Sequence, residues 1–364
     1  MTQALVVGGG LAGSAAACLL ARAGNEVHLI ERETGPHHKV CGEFLSVEAG
    51  AHLRDLGIDL DALGAAPIGR IHLVSGRTEA EAPLPFGALG LSRHVLDEVL
   101  LDAAAKSGAR VERGARVSRI DGLRAISSSG ERSGEILLLA TGKLPLRETG
   151  DAPKGRAQTP YVGLKMHLRL AAAAQRELAE TILLALFDGG YAGLQPIEDG
   201  QANLCLVMHR EQFAKLGASW SAVRTFLDGT PRLRALLAGA QELFDKPVTI
   251  GNLAYGRRPE TDGNPGVYRL GDQWAMTASI TGDGMALALR SAFIAARSVA
   301  AREDGQTYRR RLAADAGGQV RRAVTLQRML DVAALRSFGS SLARACPPLL
   351  SFAANATRLP EWQG

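Results

Sequence analysis

The stretch ALVVGGGLAGSAAACLLARAGNEVHLIER, Ala4 to Arg32, decides the fold. Ala4–Val7 is a continuous apolar run of strand length. Ser14–Ala23 is rich in Ala and Leu and stops at Gly24, and Glu26–Ile30 is a second β-type run ending at Glu31. Between strand and helix stand Gly8, Gly10 and Gly13, spaced G-x-G-x-x-G. The first permits a tight turn, the second lets the backbone approach a pyrophosphate, and the third lets helix and strand pack closely. The helix N-terminus then offers free N–H groups and a positive dipole end to phosphate. Alone, this glycine spacing is weak. Following a strand, opening a helix and answered by an acid, Glu31, at the end of the next strand, it reads as a dinucleotide site, with Arg32 beside it.

Composition agrees with an enzyme-sized globular chain. The 364 residues suffice for two or three structural units or one two-lobed enzyme, and 46% are hydrophobic, so a substantial core can form. The formal charge is +5, but no Lys/Arg run is interleaved with aromatics, so nucleic acid is not an indicated partner. Cys18, Cys41, Cys205 and Cys346 form no C-x-x-C pair, which argues against zinc and a disulfide framework and fits a reducing cytoplasm. No apolar run reaches the length of a transmembrane helix, and the first strand begins too early for a signal peptide.

A second glycine-rich helix entrance lies far downstream. GVYRLGDQWAMTASITGDGMALALRSAFIAARSVAA opens with a short strand, Gly266–Leu270, running into Gly271-Asp272, and Gly282-x-Gly284 then leads into a long Ala/Leu helix. With Gly8-x-Gly10-x-x-Gly13 and Glu31, LSRHVLDEVLLDAAAKSGARV and LLLATGK, this resembles the FAD-dependent superfamily of para-hydroxybenzoate-hydroxylase-type monooxygenases, geranylgeranyl reductases and flavin-dependent halogenases. The resemblance runs from Gly8 to about Ala300 and implies FAD as cofactor and NAD(P)H as a transient reductant. It implies that Glu31 accepts from the adenosine ribose, that Arg93 lies near the cofactor, that Asp272 meets the ribityl hydroxyls, and that Met285 offers a backbone N–H to the pyrimidine edge. The chain departs from the family after the mid-chain strand, where Thr141-Gly142-Lys143 replaces an aspartate-containing turn; Thr141 and Gly142 remain candidate cofactor contacts. It also lacks the usual small residues and proline after Asp272.

Between the two glycine motifs the period changes. Ser92 is an expected N-cap for a helix over Arg93–Lys106, with Gly108 ending it. Strands are expected at Ala109–Glu112, Ala115–Ile120 and Glu135–Ala140 in the dinucleotide lobe. From Tyr161, YVGLKMHLRL alternates strictly, with Lys165, His167 and Arg169 on one face. Further β-type runs at Ile182–Phe187, GGYAGLQP and NLCLVM predict an antiparallel substrate lobe, and the simplest reading leaves the Lys165 face in solvent, with Lys165 or His167 turned to substrate as the sharper one. Gly193 stands where halogenases have a tryptophan, which counts against halogenation. After Arg302 come helices expected to show arginine on a solvated face, a surface that could also attract a membrane or an acidic carrier domain.

HHKVCGEFLS, His37 to Ser46, is too polar for a core strand. Its histidines, Cys41 and Glu43 lack a second cluster at metal-ligand spacing, and proximity of His38 alone does not make Cys41 a nucleophile. The stretch resembles the Cys-Gly loop of geranylgeranyl reductases, with Glu43 in place of a glycine. That likeness implies a loop at the flavin, with Cys41 and Glu43 facing the cavity and desolvation raising the Glu43 pKa.

The expected architecture is α/β: a Rossmann-like FAD lobe with a three-layer parallel sheet (residues 1–70, 92–155 and 256–305), an antiparallel substrate lobe (71–91 and 156–255) and C-terminal helices (306–364). The expected activity is monooxygenation of an apolar or aromatic small molecule, with Cys41, Glu43, Lys165 and His167 as candidate catalytic residues and no metal. An alkene reductase and a non-catalytic flavin-binding protein are the competing readings.

Overall fold

The computed structural model describes residues 1–143, 146–148, 160–251, 253–256 and 264–362; the expected lobe boundary at 155/156 lies outside them. The opening stretch forms β1 (Gln3–Val7), α1 (Leu11–Arg22) and β2 (Glu26–Ile30). β1 is the centre of a five-stranded, all-parallel sheet, flanked by β2 and β10 (Ile136–Leu139), with β6 (Arg110–Glu112) and β18 (Val267–Arg269) at the edges. A parallel sheet needs cover on both faces, which is why β10 and the run Ala4–Val7 of β1 are continuously apolar at its centre. α1, α3 (Arg93–Lys106) and α8 (Gly284–Ala300) pack on one face. Val117, Ile120 and Ala125 pack on the other, from a small sheet ordered β11 (Arg147–Glu148), β7 (Val117–Asp121), β8 (Arg124–Ser127), β9 (Gly130–Ser133). Ser92 caps α3 as expected, its hydroxyl accepting from Val95 N.

The second lobe is one large sheet ordered β16 (Gln241–Glu242), β12 (Tyr161–Arg169), β15 (Ala202–His209), β14 (Gly190–Pro196), β13 (Thr181–Phe187), β4 (Ala66–Ser75), β5 (Thr78–Gly90), β3 (Phe44–Leu45), with β17 (Val248–Gly251) also on β12. Every pairing is antiparallel except β13 with β4. The sheet draws β3, and β4 from Ala66, out of the stretch expected to belong to the first lobe. Its outer face, with Leu164, Met166, Leu204 and Leu206, is covered by α4 (Ala172–Leu178), α6 (Trp220–Leu227) and α7 (Pro231–Leu237), with α5 (Arg210–Lys215) at the margin.

The alternation in β12 is as expected, but its polar face is not solvated. Lys165 and His167 are buried and only Arg169 is exposed, because the loop before β3 lies across the inner face of the sheet. A period-2 pattern reports two different faces; it does not report what covers either of them.

α2 (Val47–Asp55) packs against α8, and α9 (Gly305–Asp331), α10 (Ala333–Ala345) and α11 (Pro348–Ala356) close the chain. α10 and α11 rest on the β4–β5 hairpin through Ala80, Ala82, Ala343 and Leu350. Their outward faces carry Phe338 and Phe352 rather than the expected arginines alone. Among the described residues no helix is long and apolar enough to cross a membrane.

The β3–β5 and β14 strands meet closely at Gly90. A Cβ there would lie 2.0 Å from the Pro196 carbonyl oxygen. Gly90→Ala is therefore expected to destabilise the chain by about 1–3 kcal/mol in urea unfolding, the usual penalty for overpacking.

Candidate active site

The dinucleotide turn is built by steric necessity. Gly8 has φ +105°, and a Cβ on it would lie 2.5 Å from the Ala140 carbonyl oxygen; one on Gly13 would lie 1.9 Å from the Gly8 carbonyl oxygen. Gly10 faces two cations: its Cβ would stand 3.3 Å from Arg93 Nη2 and 3.4 Å from Lys39 Nζ. Both are fixed by one anion. Arg93 donates to both Asp97 carboxylate oxygens at 2.7 and 2.9 Å, and Lys39 Nζ donates to Oδ2 at 2.7 Å. Burial works against the Asp97 charge, but Arg93 and then Lys39 hold its pKa below the usual value. Two cations over one carboxylate leave a net positive charge beside the N-terminus of α1, which suits a pyrophosphate. Glu31 is buried, and its Oε2 accepts from Gly9 N at 2.6 Å. Arg32 lies exposed and paired with Glu33.

The second motif converges on the same cleft. A Cβ on Gly271 (φ +54°) would touch Ala288 of α8 and Ala12 of α1, so the starts of the two helices meet there. Gln273 Nε2 donates to the Gly142 carbonyl at 2.6 Å, and Lys143 Nζ lies 3.6 Å from Asp272 Oδ2, bringing Thr141-Gly142-Lys143 beside Gly271-Asp272. Gly282 is left-handed at φ +72°, with Phe44 packed over it. Asp283 precedes α8 without capping it; its buried carboxylate turns instead to Gln319 Nε2 and Arg358 Nη1, each at 2.7 Å. Burial pushes the Asp283 pKa up to about 7 against the pull of Arg358. The first-turn N–H groups at Gly284 and Met285 have no acceptor within the helix. These turns, cations and two helix starts fit an extended dinucleotide carrying two phosphates.

The Cys41-Gly42-Glu43 loop links the two lobes. Glu43 is wholly buried at φ +59°, a region that favours the glycine found at this point of the resembled loop. It holds that conformation because its carboxylate is saturated with donors. Oε1 accepts from Lys165 Nζ and, at 2.7 Å, from Arg93 N, while Oε2 meets His167 Nε2 at 2.7 Å. Burial alone would raise the Glu43 pKa; Lys165 and His167 outweigh it and leave the value lowered. The expectation of a raised pKa is corrected by these partners, and the side chain points into the sheet rather than into open space. Asn203 Nδ2 binds the carbonyls of Cys41 (3.1 Å) and Gly42 (2.8 Å), and Gln195 Nε2 binds that of Glu43 (2.9 Å).

Register makes the inner sheet face a graded wall. His167 pairs Asn203, which pairs Gln195; Lys165 pairs Cys205, which pairs Gly193; Gly163 pairs Val207, which pairs Tyr191. The polar rows hold the loop. The next row joins Tyr161, Leu253 and Met276 in an apolar and aromatic cluster with Tyr255 and Ile280. Cys41 is half-buried at the boundary, its sulfur against the Arg93 guanidinium, and Gly42 is exposed. His38 stacks on His94 and touches Phe244 and His167; burial, then Lys165, lowers its pKa to about 4, so it is neutral at pH 7. A separate cleft of about 710 Å³ between α2 and β4–β5 contains none of these groups.

Sequence reasoning missed Lys39, Asp97, Asn203 and Gln195, and weighed His38 only as a metal ligand or a partner for Cys41. Only Arg93 and Asp97 carried a signal, the i,i+4 spacing of an ion pair on one helix face. Among the described residues no cluster of histidine, cysteine or carboxylate could hold a metal.

Comparison with known proteins agrees with this geometry. Residues 1–132 match the family model described as an FAD binding domain. The chain is 29% identical over 337 residues to the tryptophan 2-halogenase of Chondromyces crocatus, and 30% identical over 224 residues to the menaquinone reductase of Mycobacterium tuberculosis. These alignments take in 82% and 55% of this chain but only 61% and 53% of those proteins, so the chain spans little more than half of the curated relatives it matches. The solved flavin-dependent brominase Bmp2 superposes with a TM-score of 0.78 at 19% identity, covering 98% of this chain and 93% of that one. The chain as a whole therefore shares its fold with flavoenzymes, and its first 132 residues match an FAD binding domain. Its cofactor is FAD.

Gly13→Val is expected to abolish FAD retention in a chain that still folds, read as flavin released per protein on denaturation, because the side chain would be driven into the Gly8 carbonyl. Glu43→Gln leaves Lys165 buried without its anion and is expected to cost about 3–5 kcal/mol in urea unfolding, with part recovered in Glu43→Gln/Lys165→Met. The pH dependence follows from the lowered Glu43 pKa: its stabilisation is complete above the ordinary carboxyl value of 4.5 and is lost as pH falls towards the folded value. Glu43→Gln should flatten that acid limb of a stability–pH curve.

Proposed function

We infer that the protein is an FAD-dependent monooxygenase that hydroxylates or epoxidises an apolar or aromatic small molecule, with NAD(P)H as a visiting reductant. FAD would supply the redox chemistry, and the chain positions the substrate and excludes water. Arg93, Lys39 and the α1 N-terminus suit the pyrophosphate, Glu31 the adenosine ribose, Asp272 the ribityl chain, and Gly282, Gly284 and Met285 the pyrimidine edge.

The observation that carries this reading is the sealed state of the charged groups. Glu43 and Lys165 are wholly buried and satisfy one another, and His167 is bound to the same carboxylate. They act as positioning residues for the loop, while the wall beyond them, with Tyr191, Val207 and Met276, is apolar and aromatic. Hydroxylation of such a substrate does not require the protein to deliver a proton to carbon, whereas saturation of an alkene does. Gly193 leaves room in this wall rather than a tryptophan, which weighs against halogenation, although halogenases are among the relatives.

Cys41 favours the second reading, a reductase of an alkene or quinone, since its thiol is half-buried while Glu43 is sealed; the menaquinone reductase relative supports it. One variant separates the two. In a monooxygenase, Cys41→Ala keeps FAD and product formation but releases more hydrogen peroxide per NAD(P)H consumed. If the thiol is the general acid of a reductase, saturation falls on the order of 10²–10⁴-fold while flavin reduction persists. Oxygen electrode and product analysis on a panel of phenols and prenylated quinones reads both outcomes. Substrate-dependent turnover without oxygen would overturn the monooxygenase reading.

A further inference from the structure

We propose that the outward face formed by the end of α9, α10 and α11 is a docking surface for an anionic lipid bilayer. Among the described residues nine large apolar side chains are exposed, and seven of them lie between Met329 and Phe352. Monomeric proteins scatter such residues singly, and a contiguous patch marks a surface that meets something apolar.

The patch is a consequence of helix geometry. α10 turns Arg336, Ser340 and Ala343 towards the β4–β5 hairpin. Leu335, Phe338 and Leu342, at i, i+3 and i+7, therefore share another face, and they are 44%, 67% and 44% exposed. Phe352 of α11 is 71% exposed. Apolar side chains gathered on the outward side of a surface helix meet either another protein or lipid.

Charge chooses between these occupants. From Gly317 to Pro360 there are six arginines and one acid, Asp331. Asp331 is turned inwards, accepting from the Tyr161 hydroxyl and lying 3.5 Å from His209 Nε2. Arg336 and Arg358 are themselves buried, Arg336 paired with the exposed Asp188 and Arg358 with the buried Asp283. Arg321, Arg328 and Arg344 are exposed, and Arg321 and Arg328 share one face of α9 at i and i+7. A second copy of the chain would bring the same positive charge against it. An anionic membrane surface answers both halves of the pattern, taking phenylalanine and leucine below the headgroups and arginine among the phosphates. Such a seat would let an apolar substrate reach the enzyme from the bilayer, although the docking itself does not depend on which reaction is catalysed.

The test is flotation of the FAD-loaded full chain with vesicles of phosphatidylcholine containing about one third phosphatidylglycerol, compared with phosphatidylcholine alone. The expected result is that the protein floats with the anionic vesicles, less with the neutral ones, and is released by salt. Phe338→Asp/Phe352→Asp should lower the bound fraction roughly tenfold or more while FAD content and Tm stay unchanged. The proposal is overturned if the wild-type chain stays in the soluble fraction, or if the double variant floats equally well. It is also overturned if light scattering shows a stable dimer that the double variant converts to monomer.

Discussion

A single buried carboxylate governs how the two lobes meet. Glu43 belongs to the loop that leaves the dinucleotide lobe, whereas Lys165 and His167 belong to the sheet of the other lobe. Taking these charges out of water is costly, and the arrangement persists because each carboxylate oxygen finds donors in good geometry. The same donors let a glutamate hold a left-handed backbone. The loop is thereby fixed at three successive residues, since Asn203 and Gln195 take the carbonyls of Cys41, Gly42 and Glu43. What the loop leaves accessible is consequently an exposed Gly42 and a half-buried Cys41, not the acid.

Arg93 carries that constraint to the cofactor cleft. Its backbone N–H binds Glu43, its guanidinium binds Asp97, and the same guanidinium stands over Gly10 of the phosphate turn. The opposite end of the cleft is held in the same manner by Asp283, which links the start of α8 to Gln319 of α9 and to Arg358 near the end of the chain. Both ends of the dinucleotide cleft are therefore set by buried ion pairs between elements remote in sequence. The C-terminal helices are a structural part of the flavin lobe as well as the carriers of an exposed apolar face.

The parts of the fold that were legible are those set by local chemistry. The strand–turn–helix at Ala4–Ile30 follows from glycine spacing, helix propensity and β-branched runs within one short window. Ser92 capping α3 and the alternation in β12 are of the same kind. The alternation of β12 brought Lys165 and His167 into view as candidates, and the likeness of the Cys-Gly loop brought Cys41 and Glu43. It did not show that three of them share one hydrogen-bonded cluster, and it led to the wrong sign for the Glu43 pKa, since the compensating partners lie 122 and 124 residues away.

By itself the sequence determined that the chain binds a dinucleotide, that a parallel α/β lobe is followed by a β-sheet of different period, and which residue types line each strand face. Periodicity and turn chemistry encode those properties within a few residues of one another. Tertiary structure alone decided that the polar face of β12 is buried, that Lys39 and Asp97 join Arg93 at the phosphate turn, and that the last helices turn phenylalanine outwards. The physical reason is that burial and ion pairing depend on which distant segment covers a face, and a linear pattern records only that two faces differ.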